Sequence, residues 1–170
     1  MAQSIPNRLR NQDRVVHGFI SYAHADHGLL TDFHGRLKPD ERLGMPDYWA
    51  DTSLTAGQKW NTEIAAAIAR AEIFLLLLTS RFLESEYIYH TELPAIRTRV
   101  TECEGLIVPV LLKPCMWEQH LGEYQAVPTN AGRAVYVVDW PSLDHGYHAA
   151  HLQLHVALKR HWPNGFGAPA

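Results

Sequence analysis

The sequence has little cysteine and little excess charge. Two cysteines, Cys103 and Cys115, occur in 170 residues, and no CxxC pattern is present, which excludes a zinc ribbon and a thioredoxin-type redox motif. A single cysteine pair in a chain of this size is more often two reduced thiols, as in a cytosolic protein. Fifteen Lys plus Arg residues against eighteen Asp plus Glu residues give a formal charge of −3. This balance argues against nucleic-acid binding through bulk positive charge.

The sequence also lacks a long apolar segment and any phosphate-binding glycine motif. Its longest apolar run, residues 73–78, is too short to cross a bilayer. The polar N-terminal residues have no apolar core of the kind that a signal peptide requires. We therefore expect a cytoplasmic protein with no membrane contact. Neither GxGxxG nor GxxxxGK[ST] occurs, so binding of a nucleotide by a phosphate-cradling loop is not supported.

Strand and helix patterns alternate along the chain. Segments of strand character cover residues 15–21, 47–50, 72–79, 105–112 and 134–139. Segments with helical spacing of apolar residues cover 27–37, 60–71, 80–100 and 145–161. This alternation predicts an α/β fold with a parallel sheet. The specific prediction is a flavodoxin-like three-layer sandwich, in which a five-stranded parallel sheet of order 2-1-3-4-5 is flanked by helices.

One domain is expected to occupy nearly the whole chain. Residues 15–162 form this domain, residues 1–14 read as a flexible polar lead-in, and residues 163–170 form a tail rich in Gly and Pro. No internal repeat is present.

Four local features refine the predicted elements. Asp26 is expected to cap the first helix, and residues 39–44 are expected to form the loop after it. Pro94 should kink or bound the third helix. Pro109 lies inside the fourth strand, which requires a bulge or a position where no N–H is needed.

A doubly wound sheet places its binding site at the carboxyl ends of the strands, at the switch between strands one and three. In this sequence Ser21 and Tyr22 follow strand one, and Asp51 follows strand two. Thr79 and Ser80 follow strand three. These residues mark where a site is expected without indicating its chemistry.

Several segments, taken in order, resemble the motifs of Toll/interleukin-1 receptor (TIR) domains, especially bacterial ones. The matching stretches are residues 19–26 (FISYAHAD), 49–51 with 55–57 and Trp60, 80–85 with Tyr87 and 92–93, 109–111, and 115–117. The resemblance covers about residues 15–162 and supports the proposed strand order. Members of this family either assemble with other TIR domains or cleave NAD⁺ at its nicotinamide–ribose bond.

The resemblance to the NAD⁺-cleaving members implies a hydrolase, an NAD⁺ nucleosidase that gives nicotinamide and ADP-ribose, or a cyclic form of ADP-ribose. NAD⁺ is then the substrate, and no cofactor is required. The family's key glutamate maps to Glu92, which is therefore the expected catalytic residue. Many such enzymes have a tryptophan four residues before this glutamate, whereas this chain has Ile88.

The remaining expected site residues surround this glutamate. The expected substrate-binding residues are Phe19, Ser21, Tyr22, Trp49, Asp51, Lys59, Tyr87 and Ile88. Each also has a plain structural interpretation: the aromatic residues are typical core residues, Asp51 can cap a loop, and an exposed lysine often has no specific partner.

The resemblance implies regulation by self-assembly through the loop at residues 51–58, the BB loop of the family. Its assembly residues are Thr52, Ser53, Leu54, Thr55, Ala56 and Gly57. The expected partners are other TIR domains, in a homo-oligomer or filament, and a sensor that is either separate or fused. The expected role is signal transduction, as in antiviral defence. Two alternatives stay open: a non-catalytic TIR adaptor, and a nucleotide sensor without turnover.

Histidine is unusually frequent, with eleven residues. His151 and His155 are four residues apart on the last predicted helix and could share a face, as helical metal ligands do. No nearby acidic or cysteine residue completes a ligand set, and the resemblance implies no metal, so no metal site is predicted.

Overall fold

A four-stranded parallel sheet in the order β2-β1-β3-β4 forms the centre of the fold in the computed structural model, which describes residues 15–52 and 62–166. The strands are β1 (His17–Ser21), β2 (Asp47–Trp49), β3 (Ile73–Leu78) and β4 (Leu106–Leu111). The predicted α/β class and the order of the first four strands are confirmed.

Helices pack on both faces of this sheet. They are α1 (His27–Glu41), α2 (Thr62–Arg70), α3 (Ser80–Glu84), α4 (Leu93–Cys103), α5 (Glu118–Leu121) and α6 (Leu143–His161). Short 3₁₀ turns at His24–Asp26 and Val137–Asp139 and a π-helical turn at Ile88–Glu92 complete the helical structure. No helix within the described ranges is both long and apolar enough to span a bilayer.

Strand β3 explains why the sheet needs helices on both sides. Its six residues are all fully buried. Ile73, Leu75 and Leu77 belong to one core with α1 and α6, whereas the alternate residues belong to a second core with α2 and α4. Because successive side chains of a strand point to opposite faces, an unbroken apolar run fits only a strand that is covered on both faces.

The expected fifth strand at residues 134–139 is not formed. Instead, Thr129–Asn130 (β5) and Arg133–Ala134 (β6) make a short hairpin, and Val137–Asp139 forms a 3₁₀ turn. The position beside β4 is taken by Val127, through a single parallel bridge to Val110.

Beyond this single bridge, the backbone groups of Thr129 bond to a side chain instead of to β4. The Thr129 amide donates to Oε1 of Gln153 at 2.7 Å, and Nε2 of Gln153 donates to the Thr129 carbonyl at 2.8 Å. The side chain of Gln153, on α6, thus bonds to the Thr129 backbone groups in the way a neighbouring strand would.

Proline positions agree in part with the predictions. The Pro109 carbonyl accepts from the Val127 amide at 2.9 Å, so the ring nitrogen of Pro109 faces the sheet edge and no ladder bond to β3 is lost. Pro94 lies in the first turn of α4, as a boundary proline does. The loop predicted at residues 39–44 is wrong for its first residues, because α1 continues through Pro39 to Glu41. Buried Leu37 holds these last turns of the helix against the core.

Candidate functional site

A cavity of about 440 Å³ opens at the carboxyl ends of β1 and β3, the place where the topology predicts a site. It is formed by the segment after β1, the residue after β2, and the helical segments after β3. Its lining residues are Phe19, Ile20, Tyr22, Ala23, His24, Ala25, Asp51, Ile64, Arg81, Glu84, Ser85, Tyr87, Ile88 and Glu92.

A π-helical turn presents Glu92 to this cavity. The Leu93 amide bonds to the Ile88 carbonyl, five residues back, which defines the wider turn. Pro94 follows at once and has no N–H with which to continue the regular i→i−4 pattern. Single π-turns of this kind occur frequently at functional sites. Ile88 and Glu92 are both buried and both line the cavity.

Burial changes the acidity of Glu92. The residue is only 5 % exposed. Burial raises the pKa of its carboxyl group to about 7, with a smaller upward contribution from the charge of Asp51 and an opposing one from the Ser21 hydroxyl. Ser21 Oγ lies close enough to Glu92 to lower the pKa of its carboxyl group. It makes no hydrogen bond of ordinary distance and angle with any described residue. The carboxyl group therefore changes charge near neutral pH.

The opposite wall carries aromatic and charged groups. The Tyr22 hydroxyl donates to the backbone carbonyl of Asp51 at 2.5 Å, which ties the end of β1 to the end of β2. The rings of Tyr22 and His24 stack with centroids 5.6 Å apart, and His24 Nε2 lies 3.8 Å from Oδ2 of Asp51. Burial, followed by the charges of Asp51 and Glu92, raises the pKa of Tyr22 to about 12.

Arg81 supplies a positive charge at the cavity, and the sequence analysis did not name this residue. It lines the cavity from the first turn of α3, and its Nη1 lies 3.6 Å from Oε2 of Glu84 in an exposed pair. The predicted cation, Lys59, lies outside the described residues. The sequence did carry a signal for Arg81, since it lies three residues after the end of β3, near the switch point.

The structure gathers most of the predicted binding residues at this place. Phe19, Tyr22, Asp51, Tyr87 and Ile88 line the cavity together with Glu92. Trp49 is not one of its described lining residues; it stacks on Phe19 with ring centroids 5.6 Å apart. Of the predicted assembly residues, Thr52 is exposed, and Ser53, Leu54, Thr55, Ala56 and Gly57 lie outside the described ranges.

Asp26 occupies the predicted N-cap position of α1, but the prediction that its side chain caps the helix is wrong. Its side chain makes no capping bond to α1 and instead accepts from Thr79 Oγ1 at 2.5 Å. Thr79 itself caps α3, because its Oγ1 accepts from the Phe82 amide at 3.1 Å. This buried pair joins the segment after β1 to the end of β3, at the base of the switch point.

The fold and the cavity define a flavodoxin-like α/β domain with a buried acid at its topological switch point. Residues 19–149 match the TIR domain family, and the chain belongs to that family. The uncharacterized protein y4lF of Sinorhizobium fredii is 31 % identical over 130 residues, which are 76 % of this chain and 39 % of that protein. The chain therefore spans well under half the length of this relative.

A solved structure with a similar fold contains the TIR domains of the activated Roq1 resistosome, which directly recognises the pathogen effector XopQ. The TM-score is 0.45 at 16 % sequence identity, over 85 % of this chain and 74 % of that one.

Proposed function

We propose that this TIR domain cleaves NAD⁺ at the nicotinamide–ribose bond, with Glu92 as the catalytic residue. The observation that carries the proposal is the buried Glu92 carboxyl group in a cavity of about 440 Å³, a volume typical of small-molecule sites. Family membership supports it, because the family includes NAD⁺-cleaving enzymes.

The chemistry requires little from the protein besides positioning and charge. Nicotinamide leaves as a neutral group and needs no general acid, while the ribose acquires oxocarbenium character. The ionised Glu92 carboxylate orients the ribose hydroxyls and stabilises this developing positive charge inside a poorly solvated cavity. Attack by water gives ADP-ribose, and attack by a nucleophile of the same molecule gives a cyclic product.

The other lining groups have separate roles in this proposal. The apolar side chains of Phe19 and Ile88 restrict water near the reacting bond. Tyr87, at the cavity rim, offers a face for the nicotinamide ring. Arg81 meets the pyrophosphate, where a guanidinium can make paired charge-assisted hydrogen bonds.

The proposal includes signalling or defence through self-assembly, with residues 51–58 as the assembly loop. The deciding experiment incubates concentrated, tag-free protein with NAD⁺, with and without a crowding agent, and follows free nicotinamide by chromatography. We expect release that grows more steeply than protein concentration. No release at any concentration would contradict the enzyme and favour the adaptor, and NAD⁺ binding without release would favour the sensor.

Replacing Arg81 with glutamine tests the role of the exposed cation. Loss of a charged hydrogen-bond partner for the pyrophosphate should raise KM for NAD⁺ roughly tenfold, with kcat little changed. Initial rates over a range of NAD⁺ concentrations measure both constants. The matched control is Arg70→Gln, an exposed arginine at the end of α2 that lies outside the cavity lining. An unchanged KM in the Arg81 variant would remove this residue from the site.

A further inference from the structure

Three metal-ligating side chains from two helices meet on the α1–α6 side of the sheet. Nε2 of His151 lies 2.5 Å from Oδ2 of Asp40, and Nε2 of His155 lies 2.7 Å from the same oxygen. The two imidazole rings are in contact, with centroids 4.9 Å apart. Asp40 is separated from the histidines by more than one hundred residues of sequence, so only the folded chain assembles this group.

The packing of α6 on α1 fixes this arrangement. His151 and His155 are one helical turn apart and share a face of α6, while Asp40 lies in the last turn of α1. Near the N-terminal end of α6, Phe33 stacks on Tyr147 with ring centroids 5.9 Å apart, and Arg36 pairs with Asp144. The α1–α6 interface therefore includes contacts outside the cluster that also hold the two helices together.

The cluster is shielded and has an unsatisfied polar neighbour. The side chains of Asp40, His151 and His155 are 17 %, 19 % and 33 % exposed. Tyr48 lines a small pocket together with Asp40 and His155, and its buried hydroxyl has no hydrogen-bond partner among the described residues.

The donor set fits a borderline transition metal. Two imidazole nitrogens and one carboxylate oxygen are a common open zinc site, in which water takes the fourth position. Ligand atoms on a tetrahedral Zn²⁺ ion are roughly 3.3 Å apart, given metal–ligand distances of about 2.0–2.1 Å. The observed separations of 2.5 and 2.7 Å are shorter than this by about 0.6–0.8 Å, a difference that side-chain rotations can supply.

We propose that Asp40, His151 and His155 bind one Zn²⁺ ion, which fastens α6 to the end of α1. The ion replaces a hydrogen-bonded cluster in which one carboxylate oxygen serves two imidazoles. Because folding assembles the ligands, metal binding stabilises the folded chain. The site uses none of the residues that line the Glu92 cavity, so it stands whether or not NAD⁺ is cleaved.

Titration of tag-free, metal-depleted protein with Zn²⁺ in a calorimeter tests the site. We expect saturable binding of one ion per chain. At a Zn²⁺ concentration one hundred times Kd, the Tm should rise by roughly 5–10 °C, whereas Mg²⁺ at the same concentration should leave it unchanged. Co²⁺ should give the visible absorption of a low-symmetry nitrogen–oxygen site. An absence of saturable Zn²⁺ binding would overturn the proposal.

Variants distinguish this site from the other histidines. Asp40→Asn keeps the shape and one acceptor oxygen, so it should fold, and it should weaken Zn²⁺ binding and remove the Co²⁺ absorption. His151→Ala should weaken binding by more than about 10²-fold, since loss of outer-shell partners alone costs 10–100-fold. His148→Ala, an exposed histidine on the same helix, is the matched control and should bind normally. Normal binding by folded Asp40→Asn and His151→Ala, or equal loss in His148→Ala, would refute the assignment.

Discussion

Glu92→Gln should abolish most NAD⁺ cleavage and, at the same time, make the protein more stable. The amide keeps the size of the side chain but cannot carry the negative charge that stabilises an oxocarbenium-like ribose. We expect the rate of nicotinamide release to fall roughly 10²-fold or more. The same substitution removes a carboxyl group that is 5 % exposed and costly to ionise in the folded state.

The gain in stability should depend on pH in a defined direction. The pKa of Glu92 is about 7 in the folded protein, compared with an ordinary value of 4.5. Below pH 4.5 the group is protonated in both states and costs nothing, so wild type and variant should be equally stable. Between pH 4.5 and 7 the unfolded state loses its proton first, and the free energy of unfolding of the wild type falls. Above pH 7 the variant should be more stable by about 3 kcal/mol.

Urea unfolding at pH 4 and pH 8, together with the nicotinamide assay, measures both effects. The matched control is Glu86→Gln, the same change at an exposed residue that pairs with His90 at 3.0 Å. It should alter the free energy of unfolding by less than about 0.5 kcal/mol and leave cleavage intact. Unimpaired cleavage by Glu92→Gln would contradict the catalytic role. A variant that is less stable than wild type at pH 8 would contradict the cost assigned to the buried charge.

The sequence predicts the central strands well because their signals are local. The run at residues 73–78 is apolar without interruption, and only a strand covered on both faces accommodates it. The fifth strand fails because its competitor is not local. Val127 takes the position beside β4 through its bridge to Val110, and no property of residues 134–139 reveals that contact.

The candidate site likewise contains features that the sequence predicts and features that depend on contacts between distant segments. Glu92 could be placed from the family motif, and the position of the cavity from the switch-point rule, since both depend on sequence order and topology. The Asp26–Thr79 bond and the Asp40–His151–His155 cluster could not, because each needs the relative positions of two helices or loops. A carboxylate that follows β1 and precedes a helix has the pattern of a cap, and only the fold shows that it bonds elsewhere.

Thr79→Val should destabilise the protein by about 2–4 kcal/mol, although the two side chains have the same shape. The valine cannot donate to the buried Asp26 carboxylate, which then loses a bond of 2.5 Å to Thr79. A buried acceptor left without its donor costs about 1–3 kcal/mol. The valine also cannot accept from the Phe82 amide, and loss of such a helix cap adds about 1 kcal/mol. Urea midpoints at constant m-value measure the total.

A double-mutant cycle separates the bond from the cap. Asp26→Leu combined with Thr79→Val removes both partners of the buried bond. The double variant should therefore be more stable, by more than about 1 kcal/mol, than the sum of the two single changes predicts. Thr79→Ser keeps the hydroxyl, so its free energy of unfolding should fall only a little. Thr31→Val, on the exposed face of α1, controls for the loss of a threonine hydroxyl. A loss below about 0.5 kcal/mol in Thr79→Val would show that the bond across the switch point contributes no stability. If the bond also positions the segment that carries Tyr22 and His24, NAD⁺ cleavage should fall in Thr79→Val under conditions where the protein is still fully folded.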